Sequence, residues 1–288
     1  MSSNRWQQLS FAQARRNEPP QPDFCLPNLV AGSVGVVAAP AGIGKTSLLM
    51  QIGAAVAAGV PVAGGLLPAP GKTGRVVFLA TEDPLAVLQR RAHFLVRSLE
   101  DQQAGENMAE RLDHNLNFFC AQAQVPILLM EDGLGKHGLD RLTTLARDAR
   151  LLILDPIRRF HYCDEQDYSR MAMLFELLSD IAVTAGCTIL FSHHVPQPTS
   201  DADLDAPVGA LGSNAFINAT RWVLNLNGMS HAQGQRLDVP DEERRRYVLA
   251  SFTKSNYGPA IPPCWLRRSG TNEGVLEAYV FEGLTTNP

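Results

Sequence analysis

The densest chemistry in this chain lies in eight consecutive residues, Ala39-Pro40-Ala41-Gly42-Ile43-Gly44-Lys45-Thr46. Glycines at 42 and 44 let successive backbone N–H groups curl around phosphate oxygens. Lys45 supplies a point charge suited to β- and γ-phosphates, and the Thr46 hydroxyl is a hard oxygen ligand for Mg²⁺. With the following Ser47, the residues Ala41, Gly42, Ile43, Gly44, Lys45 and Thr46 are the expected cradle for ATP. An apolar run at 34–38 precedes the loop, and a helical pattern at 46–58 follows it. That strand–loop–helix context separates a phosphate-binding loop from a chance glycine-rich turn. Ala39 stands where the pattern has Gly, which is tolerable if it ends a strand.

Two apolar runs end in carboxylates. Leu151-Leu152-Ile153-Leu154-Asp155 reads as a strand whose Asp155 would hold Mg²⁺ beside the loop. Val76-Val77-Phe78-Leu79-Ala80-Thr81-Glu82-Asp83 places Glu82 where a catalytic base must orient water, at the carboxyl end of a strand. Asp83-Pro84 also reads as a helix start, with Asp as cap and Pro in the first turn. A third run, Thr188-Ile189-Leu190-Phe191-Ser192-His193-His194, ends in two histidines that must point to opposite faces of a strand. They would not share one metal ion. One of them, His194 in preference to His193, is the expected reader of the γ-phosphate. Arg221 precedes a strand and Lys254 closes another, so both are candidate cations for completing a neighbouring subunit's site.

These groups need a scaffold. The chain of 288 residues carries 45% hydrophobic residues, enough for one large domain. Apolar runs at 34–38, 75–80, 116–120, 151–154 and 187–192 alternate with helical patterns at 46–58, 84–99, 138–149 and 168–185. That alternation predicts an α/β fold with a mostly parallel sheet flanked by helices. Beyond residue 220 the runs 222–226, 247–252, 264–267 and 275–280 follow without long helices, and predict antiparallel strands added at the C-terminal edge. Residues 1–30, with Glu18-Pro19-Pro20-Gln21-Pro22, read as an irregular arm holding one short helix within 5–16. Residues 31–288 read as one domain. No run approaches the ~20 apolar residues of a membrane span. Five scattered cysteines without C-x-x-C spacing read as free thiols in a cytoplasmic protein. A net charge of −4 argues against general adhesion to nucleic acid, though not against a local basic channel.

Taken together these residues resemble the RecA-fold hexameric DNA helicases of the DnaB-like superfamily, in particular the RepA-type replicative helicases of IncQ-type plasmids. The resemblance is carried by Leu26-Pro27-Asn28-Leu29-Val30-Ala31-Gly32, Glu82-Asp83-Pro84, Leu154-Asp155-Pro156-Ile157-Arg158-Arg159-Phe160-His161, His193-His194, Arg221-Trp222 and Lys254-Ser255-Asn256-Tyr257-Gly258. It implies a RecA-like fold in a homohexameric ring, with ATP sites between subunits. Lys45 would then bind ATP, Glu82 would be the base, the strand-end His a sensor and Arg221 the cation acting across the interface. It also implies single-stranded DNA in the central channel, primase or initiator proteins as further partners, and an N-terminal arm packed on the next subunit. One departure bears on DNA: the loop 196–212 carries Asp201, Asp203 and Asp205 and no Lys or Arg. Repulsion of phosphates by that loop shifts the expected DNA contacts to Arg158, Arg159 and Arg170. A RecA-like regulatory or helicase-loader ATPase, and a small-molecule phosphotransferase, are the alternatives.

Overall fold

The computed structural model of the chain describes residues 9–105, 107–196 and 215–281. Its first element, α1 (Phe11–Arg16), is capped by the Ser10 side chain and buries none of its residues. A hairpin of β1 (Phe24–Leu26) and β2 (Leu29–Val30) follows. Then come β3 (Val34–Ala39), α2 (Lys45–Ala58), β4 (Val76–Ala80), α3 (Leu85–Asp101), α4 (Met108–Asn115) and β5 (Leu116–Cys120). A second hairpin, β6 (Leu129–Met130) and β7 (Gly133–Leu134), leads into α5 (Lys136–Ala146) and β8 (Leu151–Asp155). The chain continues through a 3-10 turn (Ile157–Phe160), α6 (Tyr168–Ala185) and β9 (Thr188–His194). It ends with α7 (Ala215–Ala219), β10 (Trp222–Gly228), α8 (His231–Arg236), β11 (Tyr247–Ser255), β12 (Cys264–Arg268) and β13 (Leu276–Tyr279).

Nine strands form one sheet in the order β5-β4-β8-β9-β3-β10-β11-β12-β13. The six from β5 to β10 are parallel, and the last three are antiparallel additions. Every residue of β3, β4 and β8 is buried, which is why those strands read as unbroken apolar runs. One core packs α2, α3 and α4 against one face, and a second packs α5 and α6 against the other. Helix α2 is buried nearly all round, so it shows almost no amphipathic stripe.

Two expectations change. The strand at residue 222 was expected among the antiparallel additions, yet β10 runs parallel to β3, with Val223 opposite Val36 and Asn225 opposite Ala38. β9 and β10 both run parallel to β3, a pairing that a tight hairpin between successive strands cannot make. The arm is also shorter than 1–30. Residues 24–30 belong to the body: Cys25, Leu26 and Leu29 are buried, and Trp222 Nε1 donates to the Pro27 carbonyl at 3.0 Å. Arg150 clamps the entry by two hydrogen bonds to Asp23, at 2.7 and 2.9 Å. The expected acidic loop at 196–212 lies, beyond its first residue, outside the described residues.

Candidate active site

Parallel strands deliver their carboxyl ends to one edge of the sheet, where open α/β sheets hold ligands. Here that edge gathers the loop after β3, Glu82 just beyond β4, Asp155 ending β8 and His194 ending β9. A cleft of 260 Å³ is lined by Gly42, Gly44, Lys45, Thr46, Ser47, Glu82, Asp155 and His194, together with Arg91, Arg268 and Gly274. The sequence groups for phosphate, metal, base and sensor therefore share one cavity.

The loop has the backbone that its composition demands. Gly42 and Gly44 sit at φ 76° and 108°, values that L side chains avoid. Ala39 is the last residue of β3, in register with His194 and fully buried. Its φ is not positive, so nothing at that position requires glycine. Lys45 opens α2, so the helix N-terminus and its unpaired N–H groups face the cleft. Lys45 is 6% exposed, and its ammonium donates to the carbonyls of Ala39 and Pro40 at 2.8 and 2.6 Å. Burial pulls it down to about 8, against the opposing charges of Asp155 and Glu82.

Asp155 is 6% exposed and accepts from Ser192 Oγ at 2.5 Å. Burial raises its carboxyl, while the Ser192 and Thr46 hydroxyls and Lys45 pull it back. A threonine hydroxyl beside a carboxylate is an all-oxygen donor pair, which fits Mg²⁺ rather than a softer metal. Bound with ATP, the ion would supply charge neutralisation at the phosphates, held by Thr46 and Asp155.

Glu82 has a half-exposed side chain, 4.0 Å from His194 Nε2. Burial and the charge of Asp155 push its carboxyl up, while Arg159 and Lys45 oppose this. A more basic carboxylate is better matched to drawing a proton from water at neutral pH. His194 and His193 divide between the two faces as strand geometry requires. His194 reaches the cleft; His193 is 3% exposed and held neutral, at about 4, by burial.

Arg221 and Lys254 are not part of this cleft. Val223 lies opposite both Val36 and Lys254, so Arg221 falls at the amino end of β3, and Lys254, level with Val36, extends toward that end to the Asn218 and Thr220 carbonyls. The expected level of Arg221 beside Val34 is five residues from Ala39, about 17 Å at ~3.3 Å per residue. Arg221 is exposed there, and Lys254 Nζ donates to the carbonyl of Asn218 at 3.0 Å. Gly258 closes the same corner, where a Cβ would overlap Asn28 Oδ1.

Arg268, Arg91 and Gln51 escaped the sequence reading, and Ser47, expected in the cradle, also bonds elsewhere. Arg268 ends β12 and donates through Nη2 to the carbonyls of Gly42 and Ile43 at 2.9 and 2.8 Å. Arg91, on α3, pairs with Asp83, so Asp83 does not cap that helix; Pro84 is the N-cap residue instead. Ser47 Oγ donates to the Gly274 carbonyl, and Gln51 exchanges hydrogen bonds with both backbone groups of Leu276. The β12–β13 hairpin is thereby strapped to the start of α2. The apolar-to-charged switch at the end of β12 was the signal available for Arg268, but it does not say which edge of the sheet that end reaches.

No helix among the described residues is long and apolar enough to cross a membrane. A crystal structure titled for the RadB recombinase matches with a TM-score of 0.53 at 15% identity, covering 87% of this chain and 92% of that one. At that identity the likeness establishes the RecA-like fold alone. The family model described as AAA domain, AAA_25, matches residues 3–200, a span that contains the loop, Glu82, Asp155 and His194. The chain thus belongs to the AAA_25 family of AAA domains and is a P-loop ATPase of RecA-like fold.

Proposed function

We propose that this ATPase is a ring-forming DNA helicase that couples ATP hydrolysis at subunit interfaces to unwinding of duplex DNA during plasmid or mobile-element replication. The observation that carries this reading is the separation of the two halves of the site. Lys45, Thr46, Glu82 and Asp155 gather at one edge of the sheet, while Arg221 and Lys254 stand at the other. In a head-to-tail ring, one protomer's second edge meets the next protomer's cleft. Arg221 then neutralises charge on the transferred phosphoryl group, with Lys254 beside it.

In hydrolysis the loop N–H groups and Lys45 hold the phosphates, and Glu82 orients water and takes its proton. His194 stands next to Glu82 and passes the change in phosphate charge along β9. A second cavity, of 560 Å³, shares Glu82 and is lined by Arg158, Arg159 and His161. Its two exposed arginines are the groups we assign to single-stranded DNA, with Arg170 on the neighbouring helix. The homohexamer, its central channel and contacts with primase or initiator proteins belong to this proposal.

A second reading, a regulatory or helicase-loader ATPase, is favoured by the net charge of −4 and by Asp201, Asp203 and Asp205. Strand displacement of a forked duplex, with particle mass measured in parallel, separates the two. A ring that unwinds with ATP supports the helicase. A ring that hydrolyses ATP without unwinding, and without stimulation by single strands, supports the loader.

A further inference from the structure

We propose that Arg268 is a positioning residue for the phosphate loop, presenting its N–H groups to a triphosphate from within the same subunit. The inference rests on the ATPase reading of the cleft and names a residue beyond it. A trans peptide unit points its carbonyl and its N–H in opposite directions. Arg268 Nη2 holds the carbonyls of Gly42 and Ile43 at 2.9 and 2.8 Å. The N–H groups of those peptide units belong to Ile43 and Gly44, so both are turned to the other side of the loop. With φ 76° at Gly42 and 108° at Gly44, the loop backbone has few restraints of its own. An external donor is what limits it.

The guanidinium is itself fixed. Its Nε donates to the Arg245 carbonyl at 3.3 Å, and burial lowers its pKa while it remains charged. Strand direction delivers it: Arg267 pairs with Tyr247 at the edge where β10 ends beside Val248, the same edge that β3 presents. Contact with the Gly44 position is close, since a Cβ there would meet Arg268 Nη1 at 3.3 Å.

The test compares Arg268→Ala and Arg268→Lys with wild type and Lys45→Ala in the full-length protein. ATP and inorganic tripolyphosphate binding, KM, kcat and Tm without ligand are measured. For Arg268→Ala, KM for ATP is expected to rise at least about tenfold, the factor that one charged hydrogen bond at the low end of its range is worth. Tripolyphosphate affinity should fall by the same factor, with kcat within about twofold. Lysine should recover part of the loss. A merely structural role would lower Tm and the active fraction at unchanged KM, which would overturn the proposal. So would a loss for ATP but not tripolyphosphate, because the arginine would then be reading the nucleoside. If Lys45→Ala abolishes binding and Arg268→Ala matches wild type, only Arg268 is misassigned. If Lys45→Ala binds both ligands like wild type, the cleft reading falls and this inference with it.

Discussion

A mixing experiment puts the shared site under the most direct pressure. Arg221 is about 17 Å along the strand direction from its own phosphate loop, by strand register at ~3.3 Å per residue. On the proposed ring its removal is therefore expected to leave its own cleft intact and to act on a neighbour's. Arg221→Ala is expected to fold and assemble, yet lose about 10³-fold or more in ATP turnover. Lys45→Ala is expected to be equally inactive, for a different reason: its own cleft binds no nucleotide. In rings assembled from an equal mixture, an interface works when an Arg221→Ala protomer lends the loop and a Lys45→Ala protomer lends the arginine. Random assembly gives that arrangement at about one interface in four. Steady-state ATPase should thus recover to roughly a quarter of wild type when the sites act independently, from two nearly inactive parents. Strict coordination around the ring would lower the recovery but leave it far above either parent. Two outcomes refute the reasoning: full activity in Arg221→Ala alone, or mixtures proven by mass to be co-assembled that show no recovery at all.

Other changes follow from the same geometry. Glu82→Gln should keep ATP binding and lose turnover; in wild type the acid limb of kcat/KM should have its midpoint above the ordinary glutamate value of 4.5, because burial raises that carboxyl in the free enzyme, and a limb at or below 4.5 would argue against Glu82 as base. Affinity for ATP should weaken as pH rises through about 8, where the buried Lys45 ammonium begins to lose its proton; calorimetric titration across that range checks it. Asp23 is held down to about 2 by Arg150. A depressed carboxylate stabilises the fold above its ordinary 3.8, and that contribution is lost as pH falls toward 2. Because the Asp23 side chain is 39% exposed, screening cuts its worth to about 1 kcal/mol. Asp23→Asn should lower stability in denaturant by that amount at pH 7 and converge on wild type in strong acid. Gly258→Ala should cost about 1–3 kcal/mol by displacing Asn28, which bridges to Ser255 and Pro259, and a Tm equal to wild type would contradict this.

Local chemistry made much of this protein legible without coordinates. The central parallel strands are buried on both faces, so their composition is near-continuous and apolar, and polar residues at or just past their ends include Glu82, Asp155 and His194. Glycine at 42 and 44 is a backbone requirement, readable from residue type alone. Even the choice between His193 and His194 turns on the two-residue period of a strand, although only the sheet shows which face looks into the cleft. Element ends were less legible. Asp83 has the look of a helix cap, and Arg91, eight residues on, takes its carboxylate instead. The hairpin at 24–30 looks like part of an irregular arm because its partners, Arg150 and Trp222, are more than a hundred residues away.

Strand direction was the decision that belonged to tertiary structure. Arg221, Lys254 and Arg268 are all cations at strand termini, and nothing in their spacing distinguishes them. Because β10 is parallel to β3, Arg221 falls at the far edge. Because β11 reverses, Lys254 falls there too, and because β12 reverses again, Arg268 returns to the phosphate loop. Residue types pointed to a P-loop ATPase with its phosphate loop and carboxylates at the carboxyl ends of the strands. Which cations line the cleft, and which stand at the opposite edge of the sheet, depended on long-range pairing, whose direction no local run of residues encodes.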